Sequence, residues 1–189
     1  MRLLIFPLLV LIGWQHFEYD KAISLLEQAI LIDSNYFTAY RNKLSFQIVL
    51  KDYNQALKTA IKISQLRPSN PDYYVTIGLL YEIQGDSVSS KKQFIEAEKQ
   101  YDKMLDTITL SNKNYNMLLM DKAINLIYLG EQQKGNDILK QLYNDQKESS
   151  LKEMLASYIN KSKGEIIKML MTPETTTVEA LPNNLRNSH

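Results

Sequence analysis

The segment Tyr19-Asp20-Lys21-Ala22 returns 34 residues later as Tyr53-Asn54-Gln55-Ala56. A further 34 residues lead to Ser87-Val88-Ser89-Ser90. Asp52 and Asp86 fall on equal places, each just before a predicted helix. Aspartate there accepts hydrogen bonds from the free N–H groups of the first turn. A fixed short period constrains a fold more tightly than composition does. One such unit cannot bury its apolar face alone, so neighbouring units must stack. Apolar residues within the units follow helical spacing, and the chain is expected to be all-α.

The third unit carries the strongest family resemblance. Pro71-Asp72-Tyr73-Tyr74-Val75-Thr76-Ile77-Gly78-Leu79-Leu80-Tyr81 is followed by Gly85-Asp86, then by Ser90, Phe94 and Ala97. This resembles a tetratricopeptide repeat (TPR), a 34-residue helix–turn–helix unit. The family has an aromatic, a large apolar residue, a small residue and a tyrosine at the places of Tyr74, Ile77, Gly78 and Tyr81. Gly78, Ser90 and Ala97 are short where paired helices would touch. In the second unit, residues 37–70, Tyr40, Ala56, Ala60 and Pro68 fit. Lys43 and Leu44 replace the large–small pair there, and Gln47 replaces the tyrosine, which predicts looser packing. The first unit offers a second helix over residues 19–32, with Ala22, Leu26 and Ala29 in place. The fourth is degenerate: Leu129-Gly130-Glu131 resembles the turn, with Ala123 before it and Gly135 and Leu142 after it. The resemblance implies a right-handed α-solenoid of helical hairpins.

From Gly85 to Gly130 is 45 residues, an excess of 11 over the period. Ala97, Tyr101, Met104, Leu105 and Ile108 continue at helical spacing. The excess is therefore expected mainly in a lengthened helix ending near Ile108. A loop over residues 109–113 follows, with Ser111 or Asn112 as cap. Leu151, Met154, Leu155, Tyr158 and Ile159 share one face of a helix over residues 150–161. A short segment, 165–171, is expected to continue it past Gly164. These elements suit a C-terminal capping helix. The expected organisation is an apolar segment at 1–14, a repeat array at 15–146 and capping helices at 147–171. Residues 172–189 hold two prolines, a threonine run and little apolar content, and read as a disordered tail.

An unbroken apolar run opens at Leu3 and closes at Trp14. Twelve residues are too few to span a bilayer, which needs about 20. Two readings stay open: helix A of the first unit, or a secretory signal or membrane anchor behind Met1-Arg2. Continuity into Tyr19 supports the first. Apolarity on every side supports the second. Residues 15–146 then hold about three and a half to four repeats. Location is left open: cytoplasmic, or exported or membrane-associated if residues 3–14 act as signal or anchor. Oligomeric state is left open.

With 22 basic and 21 acidic residues the formal net charge is +1. Nucleic-acid binders usually show a basic excess or stripe, so no nucleic-acid partner is expected. The chain has no cysteine, which removes disulfides and thiolate chemistry. Its two histidines are His16, at the predicted turn of the first unit, and His189, the last residue. Glu96 and Glu98 do not share a helix face, and the glycines are isolated. No catalytic residue, metal site or cofactor is expected.

Family geometry implies a groove lined mainly by first helices. It would carry Thr38, Arg41, Asn42 and Ser45 from the second unit and Asp72, Val75, Thr76 and Leu79 from the third. The fourth would add Met117, Met120, Asp121 and Ile124. Some TPR proteins clamp C-terminal carboxylates with basic residues and asparagine. Asp72 and Asp121 would repel an acidic tail, so a clamp of that kind is not expected. The function implied is a non-catalytic scaffold for a protein or peptide partner. The alternative is an exported or membrane-associated assembly factor, touching the membrane through residues 3–14.

Overall fold

The computed structural model describes residues 5–109 and 114–171, with side chains over 18–109 and 114–170. The described residues form α-helices and no strand. In order they are α1 (Ile5–Ile32), α2 (Phe37–Val49), α3 (Tyr53–Leu66), α4 (Pro71–Ile83) and α5 (Ser87–Thr107). Then follow α6 (Tyr115–Tyr128), α7 (Gln132–Asp145), α8 (Ser149–Tyr158) and α9 (Lys163–Met171). Consecutive helices from α1 to α8 pack against one another. Short connections make α2–α3, α4–α5 and α6–α7 hairpins.

The three hairpin turns share one hydrogen-bond pattern. Lys51 N–H donates to the Ile48 carbonyl and Asp52 N–H to that of Gln47. Gly85 and Asp86 repeat this on Glu82 and Tyr81, and Gly130 and Glu131 repeat it on Ile127 and Leu126. The middle residue must take a positive φ to close such a turn. Gly85 (φ 80°) and Gly130 (φ 90°) do so freely, whereas Lys51 (φ 58°) carries a Cβ in that region. The caps follow the aspartates expected from the period. Asp52 accepts from Gln55 N–H at 3.2 Å and Asp86 from Ser89 N–H at 2.9 Å.

Close approach within the hairpins depends on glycine. A Cβ on Gly78 would stand 2.5 Å from Phe94 Cε1, and one on Gly135 would stand 2.5 Å from the Ala123 carbonyl oxygen. In the α2–α3 hairpin Leu44 stands at the place of Gly78, buried with Ala56, Ala60 and Ile63. Gln47, at the place of the tyrosine, is 3% exposed, and its Oε1 has no hydrogen-bond partner. That buried orphan is a cost.

Length is distributed much as the periodicity suggests. α5 has 21 residues against 14 in α3. The helix ends at Thr107 and Ile108 caps it. α6 begins at Tyr115, and the expected caps Ser111 and Asn112 lie outside the described residues.

The N-terminal region departs from one expectation. No turn forms at His16: α1 runs unbroken over 28 residues, so residues 5–14 do not fold back as a separate first helix. The consequence is measurable farther along α1. Ala22, Leu26 and Ala29 are only half-buried. Their counterparts 34 residues on, Ala56, Ala60 and Ile63, are fully enclosed, as are Ser90, Phe94 and Ala97 after another 34. α1 is held to α2 by Tyr19 against Phe46, with ring centroids 5.3 Å apart, and by Lys43–Glu27 at 2.6 Å. No described helix is long and apolar enough to cross a membrane. Residues 1–4 lie outside the described residues.

α8 packs on α7, while α9 turns back toward the α4–α5 hairpin. Ser162 and Glu165 cap α9 reciprocally, with Ser162 N–H donating to Glu165 at 2.8 Å. Lys163 reaches Glu82 at 2.9 Å and stands 5.4 Å from the centre of the Phe94 ring. Ile166 and Leu155 are fully buried in one cluster with Phe94, Ile127, Tyr128 and Leu139. The C-terminal helices thus tie the last hairpin to the preceding one as well as covering its end. The tail at 172–189 lies outside the described residues.

Candidate functional site

The polar groups that converge from separate helices do so between α4 and α6. Asn70 caps α4, accepting from Asp72 N–H at 2.9 Å, and so fixes Asp72 in the first turn. Thr76 follows one turn later and bonds the Asp72 carbonyl. Val75 and Leu79 lie on the same side of α4, while Met117, Asp121 and Ile124 come from α6. Behind them α5 supplies Tyr101, 2% exposed, whose hydroxyl donates to Asp72 Oδ1 at 3.3 Å.

These residues line two adjoining cavities. One, of about 430 Å³, runs from Pro71 and Asp72 past Met104 and Ile108 to Met117, Leu118 and Asp121. The other, of about 300 Å³, is walled by Val75, Leu79, Ile124, Tyr128, Tyr158 and Leu170. Asp72 and Asp121 line both. Met104 and Ile108 belong to the extra turns and C-cap of α5, so the lengthened helix builds one wall of the larger cavity. A third depression, about 570 Å³, lies along the outer side of α5 around Val88, Lys92 and Ile95. Apart from Tyr74 its walls come from that one helix, and no polar groups converge on it from separate elements.

Burial pushes the Asp121 carboxyl up to about 6, and the negative charge of Asp72 adds to the shift. Asp72 is also raised, by burial, against the lowering effect of the Tyr101 hydrogen bond. Asp72 keeps an edge open to solvent, so its carboxyl is the less strongly constrained of the two. Burial raises the Tyr101 hydroxyl, with Asp72 and Asp121 reinforcing it. Tyr128 is raised by burial, then by Tyr158 and Asp121. Near neutral pH the phenols are therefore neutral donors beside two carboxyl groups.

No family model matches the chain, and no curated protein matches it significantly. Of the groove residues expected from the sequence, Asp72, Val75, Thr76, Leu79, Met117, Asp121 and Ile124 come together at these cavities. Met120 does not: it is 3% exposed and packs in the central cluster with Phe94 and Ile127. It projects from α6 one position before Asp121, so helical rotation turns it inward. Thr38, Arg41, Asn42 and Ser45 are exposed on α2 and line neither cavity. Sequence reasoning missed Tyr101, Met104, Ile108, Tyr128, Tyr158 and Leu170 as lining residues. Tyr101, Met104 and Ile108 were visible only as the apolar continuation of α5. Leu170 was invisible, because nothing local shows that α9 turns back.

Chemically the site offers two carboxyl acceptors, phenolic donors and apolar walls on both sides. Among the described residues no group of three or more histidine, aspartate or glutamate side chains is placed to hold a metal ion.

Proposed function

We propose that the chain is a right-handed stack of tetratricopeptide-type hairpins. Its work is to hold a protein or peptide along the groove between α4 and α6, without catalysing a reaction. The observation that carries this reading is the convergence of first-helix residues from two hairpins on adjoining cavities. The cavities follow one another along the helices, and Asp72 at their junction is exposed to solvent, which leaves room for an extended chain to pass from one to the other. Leu79 and Met117 supply apolar contact, and Asp72, Asp121 and Thr76 supply polar fixing points.

Selection of displayed random peptides on the immobilised full-length protein tests it. Peptides so recovered should lose binding to Leu79→Asp, in the groove, and retain it with Val88→Asp, on the outer side of α5. The reverse pattern would move the binding surface to the other face and end this reading.

A second reading is an exported or membrane-associated assembly factor of the same repeat class. The observation favouring it is α1: its apolar first part does not fold back as a hairpin partner for residues 19–32. Mass spectrometry of the mature N-terminus from native cells tests it. Cleavage near residue 14 supports export, and an intact, detergent-independent chain counts against it.

A further inference from the structure

We infer that the junction of the two cavities, at Asp72 and Asp121, receives a lysine or arginine side chain of the bound peptide, with apolar peptide residues seated on either side. This rests on the groove-binding reading and adds the chemistry of the anchor residue. Glu82, Glu96, Glu98 and Asp102, around these helices, have cations of their own. Lys122 lies between Glu98 and Asp102, Lys163 meets Glu82, and Lys99 meets Glu96. Asp72 and Asp121 have no cation within 4.0 Å among the described residues. Lys122 follows Asp121 in the chain, yet helical rotation carries it to the α5 side, where it is already paired.

Two like-charged groups facing one half-enclosed space oppose each other's ionisation. A cation entering from a partner relieves that opposition and satisfies both carboxylates with charge-assisted hydrogen bonds. Behind the junction the Tyr101 hydroxyl donates to Asp72 Oδ1 and holds that carboxylate in place. Beyond the acidic junction the walls turn apolar, with Met104, Ile108 and Met117 on one side and Val75, Leu79 and Ile124 on the other. The matching ligand is therefore a basic residue flanked by apolar ones. The lengthened α5 supplies Met104 and Ile108, so this recognition belongs to the irregular part of the chain and not to the repeated unit.

The anchor also makes binding sensitive to acid. The titratable groups facing Asp121 are Asp72 from α4, Tyr101 from α5, Tyr128 from α6 and Tyr158 from α8. From α9 the lining residue is Leu170. The phenols are held neutral, so the carboxyls alone change charge near neutrality. As pH falls through about 6, Asp121 gains a proton and the attraction weakens.

The test uses the full chain and four pools of fluorescently labelled, end-blocked nonapeptides. The pools share apolar-flanked sequences and differ only in a central Arg, Lys, Gln or Glu. Anisotropy titrations should show the Arg and Lys pools binding about tenfold tighter than the Gln pool, with the Glu pool weakest. The preference should shrink at about pH 5, disappear in the Asp72→Asn/Asp121→Asn double variant, and turn toward Glu in Asp121→Lys. The asparagine changes remove a charge from a half-buried site, so folding is not endangered. Equal binding of the Gln pool, or a preference unchanged in the double variant, overturns the inference and leaves the groove reading intact. Failure of every pool to bind, or binding undiminished in Leu79→Asp, overturns both.

Discussion

Asp121 shows how a buried carboxyl weakens the fold that holds it. Burial and Asp72 raise its carboxyl to about 6, so the folded chain binds a proton there more readily than the unfolded chain does. The sign follows directly. Stability from this group is greatest below about pH 4, falls as pH rises toward 6, and stays low above that. Asp121→Asn should raise stability at about pH 7.5 by roughly 1–2 kcal/mol and remove the fall between pH 4 and 6. Urea midpoints across that range check both statements. Lys51 is a second residue held at a cost. The turns of the α4–α5 and α6–α7 hairpins place glycine at positive φ, but the α2–α3 turn places lysine there. Lys51→Gly should stabilise the protein by about 1 kcal/mol, because the Cβ strain outweighs the added chain entropy. A higher thermal midpoint is the expected result, and a lower one would show that the Lys51 side chain holds the turn.

At the scale of elements, the hairpins are set by which residues are small. Glycine in the middle of α4 costs helix propensity of about 1 kcal/mol relative to alanine. Gly78→Ala would nevertheless destabilise, by roughly 1–2 kcal/mol, because the new Cβ would meet the Phe94 ring at 2.5 Å. That ring cannot swing away, since it is fully buried and stacked on Tyr128 at 5.0 Å. Differential scanning calorimetry of the variant measures the balance of the two effects. A gain in stability would mean that α4 and α5 can slide apart cheaply. α1 illustrates the opposite condition. Its small and apolar residues match the pattern of α3 and α5, but no helix folds back on them, so they remain half-exposed. Pattern states what a helix can pack against, and topology decides whether that neighbour exists.

At the scale of the whole molecule, α9 joins hairpins that the sequence presents as separate units. Ile166 is completely buried beside Phe94, Leu139 and Leu155, drawn from α5, α7 and α8. Ile166→Ala should cost about 2–4 kcal/mol. It should also loosen the small cavity, because Leu170 continues from the same helix into its wall. Hydrogen exchange on the variant should then show faster amide exchange in α4 as well as in α9. Faster exchange confined to α9 would show that the helix is an appendage and not a brace.

The helices, their period and most of their ends were legible in the residue pattern alone. Those features are local: apolar spacing, Asp52 and Asp86 at the first turns, Gly85 and Gly130 just past the last ones, and an extra apolar stretch that lengthens α5. The family resemblance in turn implied that Asp72 of α4 and Asp121 of α6 share one groove. Packing between the hairpins sets that these two carboxyls share a cavity, that Met120 turns inward, and that the α2 residues lie apart from the site. The tertiary structure likewise sets that residues 5–14 run on into α1 and that α9 folds back to Glu82. These outcomes depend on contacts between distant residues. Their energies come from which surfaces remain uncovered once the hairpins have formed, and no local pattern records that.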